Sequence, residues 1–329
     1  MRQWRRSLSA IALLLALGQA PALAATIAVA PGIPPAINAD GICALIEAID
    51  NANADAQTHS DCVAGNGADT IVLPTKSTQS LTAVDNDITV GPTGLPVISS
   101  TVTIRGRNST IQRESSAPPF RILAVASSGD LTLHSTTVSG GRSEGYPLPG
   151  GGGVFNSGML TLTNSTVSGN SVDFGVGGGV FNSGTTLTNS TVSGNFVRYF
   201  GGGGVFSSGM LTLTNSTVSG NSAFGGGVYN TGTLTVTRAL ISGNTAPFYN
   251  DPSEVAIGGT AATIVANNHN LFGHDGDAGV VGFSPGSTDL VPSEDLSAIL
   301  NATLADNGGP TRTHALIAGS PAIDASGRC

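Results

Sequence analysis

A repeat that recurs four times between Gly151 and Asn244 limits the possible folds of this chain more than any other feature. Each copy opens with Gly-Gly-Gly-Val, at residues 151–154, 177–180, 202–205 and 225–228. Each copy closes with Ser-Gly-Asn, at residues 168–170, 193–195, 219–221 and 242–244. The opening valines are 26, 25 and 23 residues apart, a period typical of solenoid proteins, in which each repeat forms one coil of a stack.

Within the first copy, apolar and polar residues alternate as they do in short β-strands. Leu160 and Leu162 alternate with threonines, and Val167 lies between Thr166 and Ser168. Asn and Gly residues separate these runs, and none of the runs has a helical period. The pattern predicts an all-β parallel β-helix, in which equivalent strands lie about 4.8 Å apart along the axis and Leu160, Leu162 and Val167 point inward.

An asparagine follows the longer strand in three of the copies, at Asn164, Asn189 and Asn215. Asn tolerates the left-handed backbone conformation that a tight corner needs, and stacked side-chain amides can form hydrogen bonds along the axis. We therefore predict a structural ladder of these three amides at one corner. In a degenerate copy upstream, His134 is expected to take the corner position because it follows Leu131-Thr132-Leu133.

An aromatic residue follows the opening valine in every copy, which predicts a column of stacked rings. Two interpretations are open: the rings pack within the sheet, which is the commoner case, or they form a surface that binds sugar rings. The four residues are Phe155, Phe181, Phe206 and Tyr229.

The first 24 residues have the pattern of a secretory signal peptide. They contain three arginines near the start, an apolar stretch at residues 11–17 and a small-x-small sequence at 22–24. The apolar stretch is too short to span a membrane, so we expect a secreted or cell-surface protein with no membrane span in the mature chain. Without the leader, 10 basic and 21 acidic residues give a charge of −11, which argues against nucleic acid as a partner.

Three cysteines are present, and an exported protein is expected to pair them. Cys43 and Cys62 are close in sequence, so we predict that they form a disulfide. Cys329 is the last residue and is left without a partner. It either forms an intermolecular bond or pairs with a cysteine beyond this sequence.

Residues 42–53 depart from the β pattern. Ile42, Leu45, Ile46 and Ile49 follow helical spacing, and Asp40 is a plausible N-cap. A solenoid needs a covered first coil, so we interpret this segment as a capping helix. The expected organisation is a leader at 1–24, an N-terminal cap at 25–75, a β-helix at 76–290 with its core repeats at 151–244, and a C-terminal segment at 291–329.

The two ends also resemble known bacterial families. Cys43, Leu45 and Glu47-Ala48-Ile49, followed by Asp61-Cys62 and residues 67–74, are similar to the CSLREA domain, although Ala44 and Ile46 depart from its motif. Residues 306–316 and 319–325 resemble the choice-of-anchor Q domain, and the Gly-Gly-x-apolar repeats resemble those of polymorphic outer-membrane proteins. These resemblances imply an exported, surface-displayed, right-handed parallel β-helix of pectin-lyase-like architecture with no established catalytic activity. They also imply a chain that continues past Cys329, so we expect the sequence to be truncated or its anchor to be missing.

Residues with catalytic or metal-binding chemistry are sparse. The core repeats contain only Asp173, Arg198 and Arg238 as charged residues, at different positions in their copies. Glycosidases need two converging carboxylates, so no catalytic groove is predicted on these repeats. Asp275 and Asp277 are candidate calcium ligands in an Asp-x-Asp turn, and the polar loop with Asp85 and Asp87 is a second candidate; an ordinary turn is the alternative at both places.

We therefore take a non-enzymatic, exported surface or adhesion module as the leading hypothesis. Its ligand would be a carbohydrate or a host or cell-surface protein. The alternative is a carbohydrate-active enzyme, a polysaccharide lyase or glycoside hydrolase, whose site lies outside the core repeats, because β-helices also carry such enzymes. No cofactor is expected apart from the calcium candidates.

Overall fold

A computed structural model describes residues 24–88, 91–144, 150–247, 253–259, 262–266 and 268–323. The predicted leader apart from its last residue, and Cys329, lie outside the described residues.

Short strands make up most of the described chain. The strands of the first half are β1 (Thr26–Ala28), β2 (Asp69–Val72), β3 (Thr78–Leu81), β4 (Asn86–Ile88), β5 (Gly91–Thr93), β6 (Thr101–Arg113), β7 (Leu123–Val125), β8 (Asp130–Ser139), β9 (Arg142–Ser143), β10 (Val154–Asn156), β11 (Met159–Thr163) and β12 (Thr166–Ser168). Those of the second half are β13 (Ser171–Val172), β14 (Val180–Thr188), β15 (Thr191–Ser193), β16 (Phe196–Val197), β17 (Val205–Thr214), β18 (Thr217–Ser219), β19 (Val228–Asn230), β20 (Thr233–Thr237), β21 (Leu240–Ile241), β22 (Val255–Ile257), β23 (Thr263–Val265), β24 (Leu271–Phe272) and β25 (Val280–Val281). The helices are α1 (Leu45–Ala54) and α2 (Leu296–Ile299).

The strands stack in parallel, coil upon coil, so the predicted parallel β-helix is confirmed. Within the described residues, the first face stacks nine strands: β1, β2, the first halves of β6 and β8, β11, the second halves of β14 and β17, β20 and β23. The second face stacks β3, the second halves of β6 and β8, β12, β15, β18, β21 and β24. The third face stacks β7, β10, the first halves of β14 and β17, β19, β22 and β25. The short strands β9, β13 and β16 form a separate parallel sheet.

Inward-pointing residues form columns of side chains along the axis. Leu160, Leu162 and Val167 are at most 1% exposed, as the alternation predicted. Leu162 and Val167 each lie between aliphatic residues of the adjacent coils, whereas Leu160 lies between Leu131 and the buried Thr185. One continuous apolar core still runs through the stack. The second copy has one residue fewer, and the irregularity falls between Asn182 and Gly184, which leaves the register of the rest of the strand intact.

Helix α1 follows β1, and its buried face belongs to the same apolar core as β1 and β2. The predicted disulfide between Cys43 and Cys62 is present and joins the residues on either side of the helix. The prediction of Asp40 as N-cap is wrong. The Cys43 carbonyl accepts a hydrogen bond from Ala30, which holds the chain extended up to Ala44, and the Glu47 carboxylate accepts from the Ala44 amide instead.

The C-terminal segment turns back along the outside of the second face. Leu240 and Leu271 point outward there and are covered by Ile299 and Leu300 at the end of α2. Further along, the Thr166 hydroxyl lies 2.8 Å from the carbonyl of Arg312, a contact between residues 146 positions apart in the sequence. In the part of the chain that the structure describes, neither helix is long and apolar enough to cross a membrane.

Candidate functional site

The three asparagines of the predicted ladder lie at the corner between the first and second faces. Asn164, Asn189 and Asn215 all have left-handed backbone conformations, with φ values of 51°, 48° and 48°. The Asn215 amide donates to the Asn189 carbonyl oxygen at 3.1 Å, and Arg238, which takes the same corner one coil later, donates to Asn215 at 2.7 Å. The side chains of Asn189 and Asn215 are exposed. Backbone conformation, more than the amide contact, therefore explains Asn at this corner.

The expectation for His134 is wrong by one position. His134 lies beside Thr163, so Ser135 takes the corner, with a φ of 53°. The upstream copy keeps the left-handed corner but fills it with a residue that also forms local hydrogen bonds, since the Ser135 hydroxyl lies 3.0 Å from the His134 ring.

A second asparagine ladder, which the sequence analysis missed, is fully buried. It consists of the asparagines that close the four repeats. Each side-chain amide donates to the next side-chain carbonyl at 2.9 to 3.0 Å, and each carbonyl oxygen also accepts the backbone amide of the preceding coil. The members are Asn170, Asn195, Asn221 and Asn244. The available signal was their presence in all four copies, whereas the corner asparagine occurs in three.

The opening glycines and the closing asparagines of the repeats meet at this ladder. A Cβ atom added to Gly153 would lie 2.9 Å from the Asn170 amide nitrogen and 2.7 Å from the Gly179 carbonyl oxygen. A Cβ atom added to glycine 179, 204 or 227 would be similarly close to the asparagine that closes the same repeat. Any side chain there would push the coils apart, which explains why both ends of the repeat are invariant within this chain.

Glu254 ends the buried ladder. Its carboxylate accepts hydrogen bonds from the Asn244 side chain at 2.5 Å and from the Gly243 backbone at 2.9 Å, and the residue is 0% exposed. Burial raises the pKa of Glu254 to about 7, against the opposing effect of these hydrogen bonds. The side-chain amides of the ladder therefore all donate in the same direction along the axis. The carboxyl group of Glu254 accepts the last of these hydrogen bonds.

The predicted aromatic column is present on the third face. Phe155, Phe181, Phe206 and Tyr229 stack with centroid separations of 4.9, 5.5 and 5.8 Å. Phe155 is buried and the other three are half-buried. A Cβ atom on Gly225 would lie 2.5 Å from the Tyr229 ring, so the glycine loops pack closely on the column. This arrangement favours packing over sugar binding.

The calcium candidates have turn-forming contacts. Asp275 and Gly276 both have positive φ, and His274 and Asp277 pair across them, which makes a tight turn. The Asp277 carboxylate accepts from the Gly279 amide at 2.8 Å, while Asp275 is exposed. Among the described residues, no three His, Cys, Asp or Glu side chains are grouped to hold a metal ion.

The second calcium candidate, the loop with Asp85 and Asp87, also has structural contacts. Asp85 accepts from the Asn86 side chain at 2.8 Å, and its own amide donates to Thr93. Burial, together with the nearby charge of Asp50, raises the pKa of Asp85. Asp87 is exposed and lies in strand β4, which pairs with β5.

His314 joins the C-terminal segment to the second face. Its Nδ1 lies 2.8 Å from the Asn301 carbonyl, which can only accept, so Nδ1 carries the proton and Nε2 accepts from the Ser193 hydroxyl at 2.8 Å. Burial lowers the pKa of His314, which keeps the ring neutral. Ser193 is 4% exposed, so this serine–histidine pair is a docking contact that a substrate cannot reach.

The C-terminal segment also forms one wall of an open groove of about 690 Å³ on the second face. The lining includes Lys76 and Asn108 at the corner of the solenoid, and the loop from Asp306 to Arg312 contributes the C-terminal wall. Hydroxyl and amide side chains form the floor: Thr78, Thr110, Gln112, Thr137, Ser139 and Ser168. We call this site the second-face groove.

The register of the strands arranges the groove floor in rows. Thr78, Thr110 and Thr137 lie directly above one another in adjacent coils. Each coil therefore presents the same uncharged hydrogen-bonding group at the β-sheet spacing of about 4.8 Å. Asp306 is the only carboxylate in the described lining. The described lining therefore does not bring two carboxylates together, which is the arrangement typical of glycoside hydrolases.

Comparisons with known proteins identify the fold but not a relative. The family model described as "Right handed beta helix region" matches residues 71–246, which is more than half of the chain. Neither the curated proteins nor the solved structures contain a match.

Proposed function

The chain belongs to the right-handed β-helix family, and on that premise we propose that it is an exported, non-enzymatic surface protein that binds a glycan in the second-face groove. The family includes both enzymes and non-enzymatic proteins, so the proposal depends on the site. The observation that carries it is the groove lining, in which the described residues form rows of hydroxyl and amide groups with a single carboxylate, Asp306.

Export and display complete the proposal. The leader pattern at residues 1–24 supports export, and the resemblance to CSLREA and choice-of-anchor Q proteins supports display at a bacterial surface in an adhesion role. The Cys43–Cys62 disulfide agrees with an oxidising compartment outside the cytosol.

Binding is tested by affinity electrophoresis of the protein in gels that contain neutral or acidic polysaccharides. Thr137→Trp fills the groove floor and is expected to abolish retardation. Thr212→Trp is the matched control, because Thr212 is also a half-buried strand threonine but lies on the first face. Equal retardation of the two variants would contradict the proposal.

A second assay separates binding from catalysis. The same polysaccharides are incubated with the protein, and the release of reducing or unsaturated ends is measured. We expect no release. Release that Asp306→Asn, or Asp275→Asn with Asp277→Asn, abolishes would replace the proposal with a polysaccharide-degrading enzyme.

A further inference from the structure

Two basic side chains line the second-face groove. Lys76 reaches it from the corner of the solenoid and Arg312 from the C-terminal segment, and both residues are exposed. Neither forms an ion pair with another described residue. Two cations, one from the solenoid and one from the C-terminal segment, with Asp306 as the one acidic residue in the described lining, give the groove a positive charge.

The cations continue along the adjoining corner. Arg105 and Arg107 are exposed there. The Lys76 amide donates to the Arg107 carbonyl at 3.0 Å, so Lys76 and Arg107 lie in adjacent coils. Four of the ten Lys and Arg residues after the predicted leader therefore lie at this groove and its corner: Lys76, Arg105, Arg107 and Arg312. The sequence after the leader contains 21 acidic residues in total, so the positive charge at the groove is a local feature.

From this juxtaposition we infer that the second-face groove binds an anionic polysaccharide, with its acidic groups between Lys76 and Arg312 and its hydroxyl groups on the threonine rows. The inference rests on the proposed glycan-binding function and specifies the ligand class. Uncharged hydroxyl and amide groups match sugar hydroxyls, while the two cations match carboxylates or sulfates.

Two other ligand classes fit the groove less well. A neutral glycan would leave both cations without a function in the complex. A single-stranded nucleic acid needs aromatic side chains for base stacking, and none is present in the described lining.

The experiment measures affinity for three polymers by titration: dextran sulfate, unmodified dextran as the neutral polymer of the same backbone, and alginate as a carboxylate polymer. The wild-type protein is expected to bind at least one anionic polymer ten-fold or more tightly than dextran, and this affinity should fall as salt is raised because added ions screen the contact. The sulfate and carboxylate polymers show which acidic group is preferred.

Charge removal then locates the site. Lys76→Gln with Arg312→Gln should weaken anionic binding at least ten-fold. Arg198→Gln with Arg238→Gln removes the same charge away from this groove and should change it less than two-fold. If the double substitution lowers the melting temperature, Arg312→Gln alone serves as a second variant, because Arg312 is exposed on a loop.

The outcomes separate the two proposals. If dextran binds as tightly as both anionic polymers and Thr137→Trp abolishes that binding, the groove binds glycans but the anionic inference is wrong. If the Lys76 and Arg312 variants bind anionic polymers like the wild type, the inference is also wrong. If none of the three polymers binds, both the proposed function and this inference fail.

Discussion

Replacing Asn221 by alanine tests the buried ladder at an interior position. The Asn221 side chain accepts hydrogen bonds from the backbone and side-chain amides of Asn195 at 3.0 and 2.9 Å, and it donates to the Val192 carbonyl and to Asn244, both at 2.9 Å. The residue is 0% exposed. Alanine removes all four contacts and leaves buried polar groups behind.

The expected cost follows from the groups that lose their partner. The Asn195 backbone N–H and one hydrogen of its side-chain amide both lose their only acceptor in the ladder. Each buried, unsatisfied donor costs about 1–3 kcal/mol, so Asn221→Ala should lower the free energy of unfolding by about 4 kcal/mol. Asn221→Asp keeps the shape but turns a carboxylate oxygen toward the Val192 carbonyl, and should cost at least as much.

The control is six positions upstream, in the same repeat. Asn215→Gly keeps the left-handed corner available and removes only exposed amide contacts, so its cost should stay within about 1 kcal/mol. Unfolding in guanidinium, followed by far-UV circular dichroism with m-values compared, measures all three variants. A loss for Asn221→Ala that is no larger than the loss for Asn215→Gly would refute the argument that buried ladder bonds hold adjacent coils together.

Three further predictions concern titration and the ends of the stack. Because the pKa of Glu254 is raised from 4.5 to about 7, its contribution to the free energy of unfolding is fully present below pH 4.5 and is lost as the pH rises through 7. The loss is up to about 3 kcal/mol, and unfolding curves at pH 5 and 8.5 should show it in the wild type but not in Glu254→Gln. Loss of the disulfide in Cys43→Ser with Cys62→Ser should lower stability by about 3 kcal/mol, and reduction of the wild type should lower its melting temperature similarly; an unchanged melting temperature in both would contradict a stabilising role. The pKa of His314 is lowered from 6.5, so its contribution to holding the C-terminal segment on the second face is present above pH 6.5 and is lost as the pH falls. Proteolysis of this segment should therefore be faster at pH 5 than at pH 7.5. A His314→Gln variant that keeps this difference would assign it to another group.

The two asparagines of each repeat show the limit of sequence reasoning. Both Asn189 and Asn195 recur at a fixed position, both follow a strand, and both can stack as amides. The sequence pattern favoured the first as the ladder. In the structure the exposed Asn189 serves mainly a backbone conformation, while Asn195 forms the buried chain of hydrogen bonds. Periodicity identifies a repeated position, but it does not say which side of the coil that position faces.

The sequence by itself determined the features that depend on neighbours in the chain or on the repeat length. The period places equivalent residues above one another, so the parallel stack, the inward position of Leu160 and Leu162, the aromatic column and the register across the shortened copy could all be predicted. The bond between Cys43 and Cys62 could also be predicted, since a 19-residue separation makes loop closure easy.

Only the tertiary structure decided which surfaces meet. The opening glycine of each repeat reaches the closing asparagine because the coil closes on itself, and Glu254 ends the ladder because the chain returns to that position after the last copy. The second-face groove exists because Arg312 lies beside Thr166 across 146 residues. Such contacts follow from the path of the whole chain, on which local alternation and propensity carry no information.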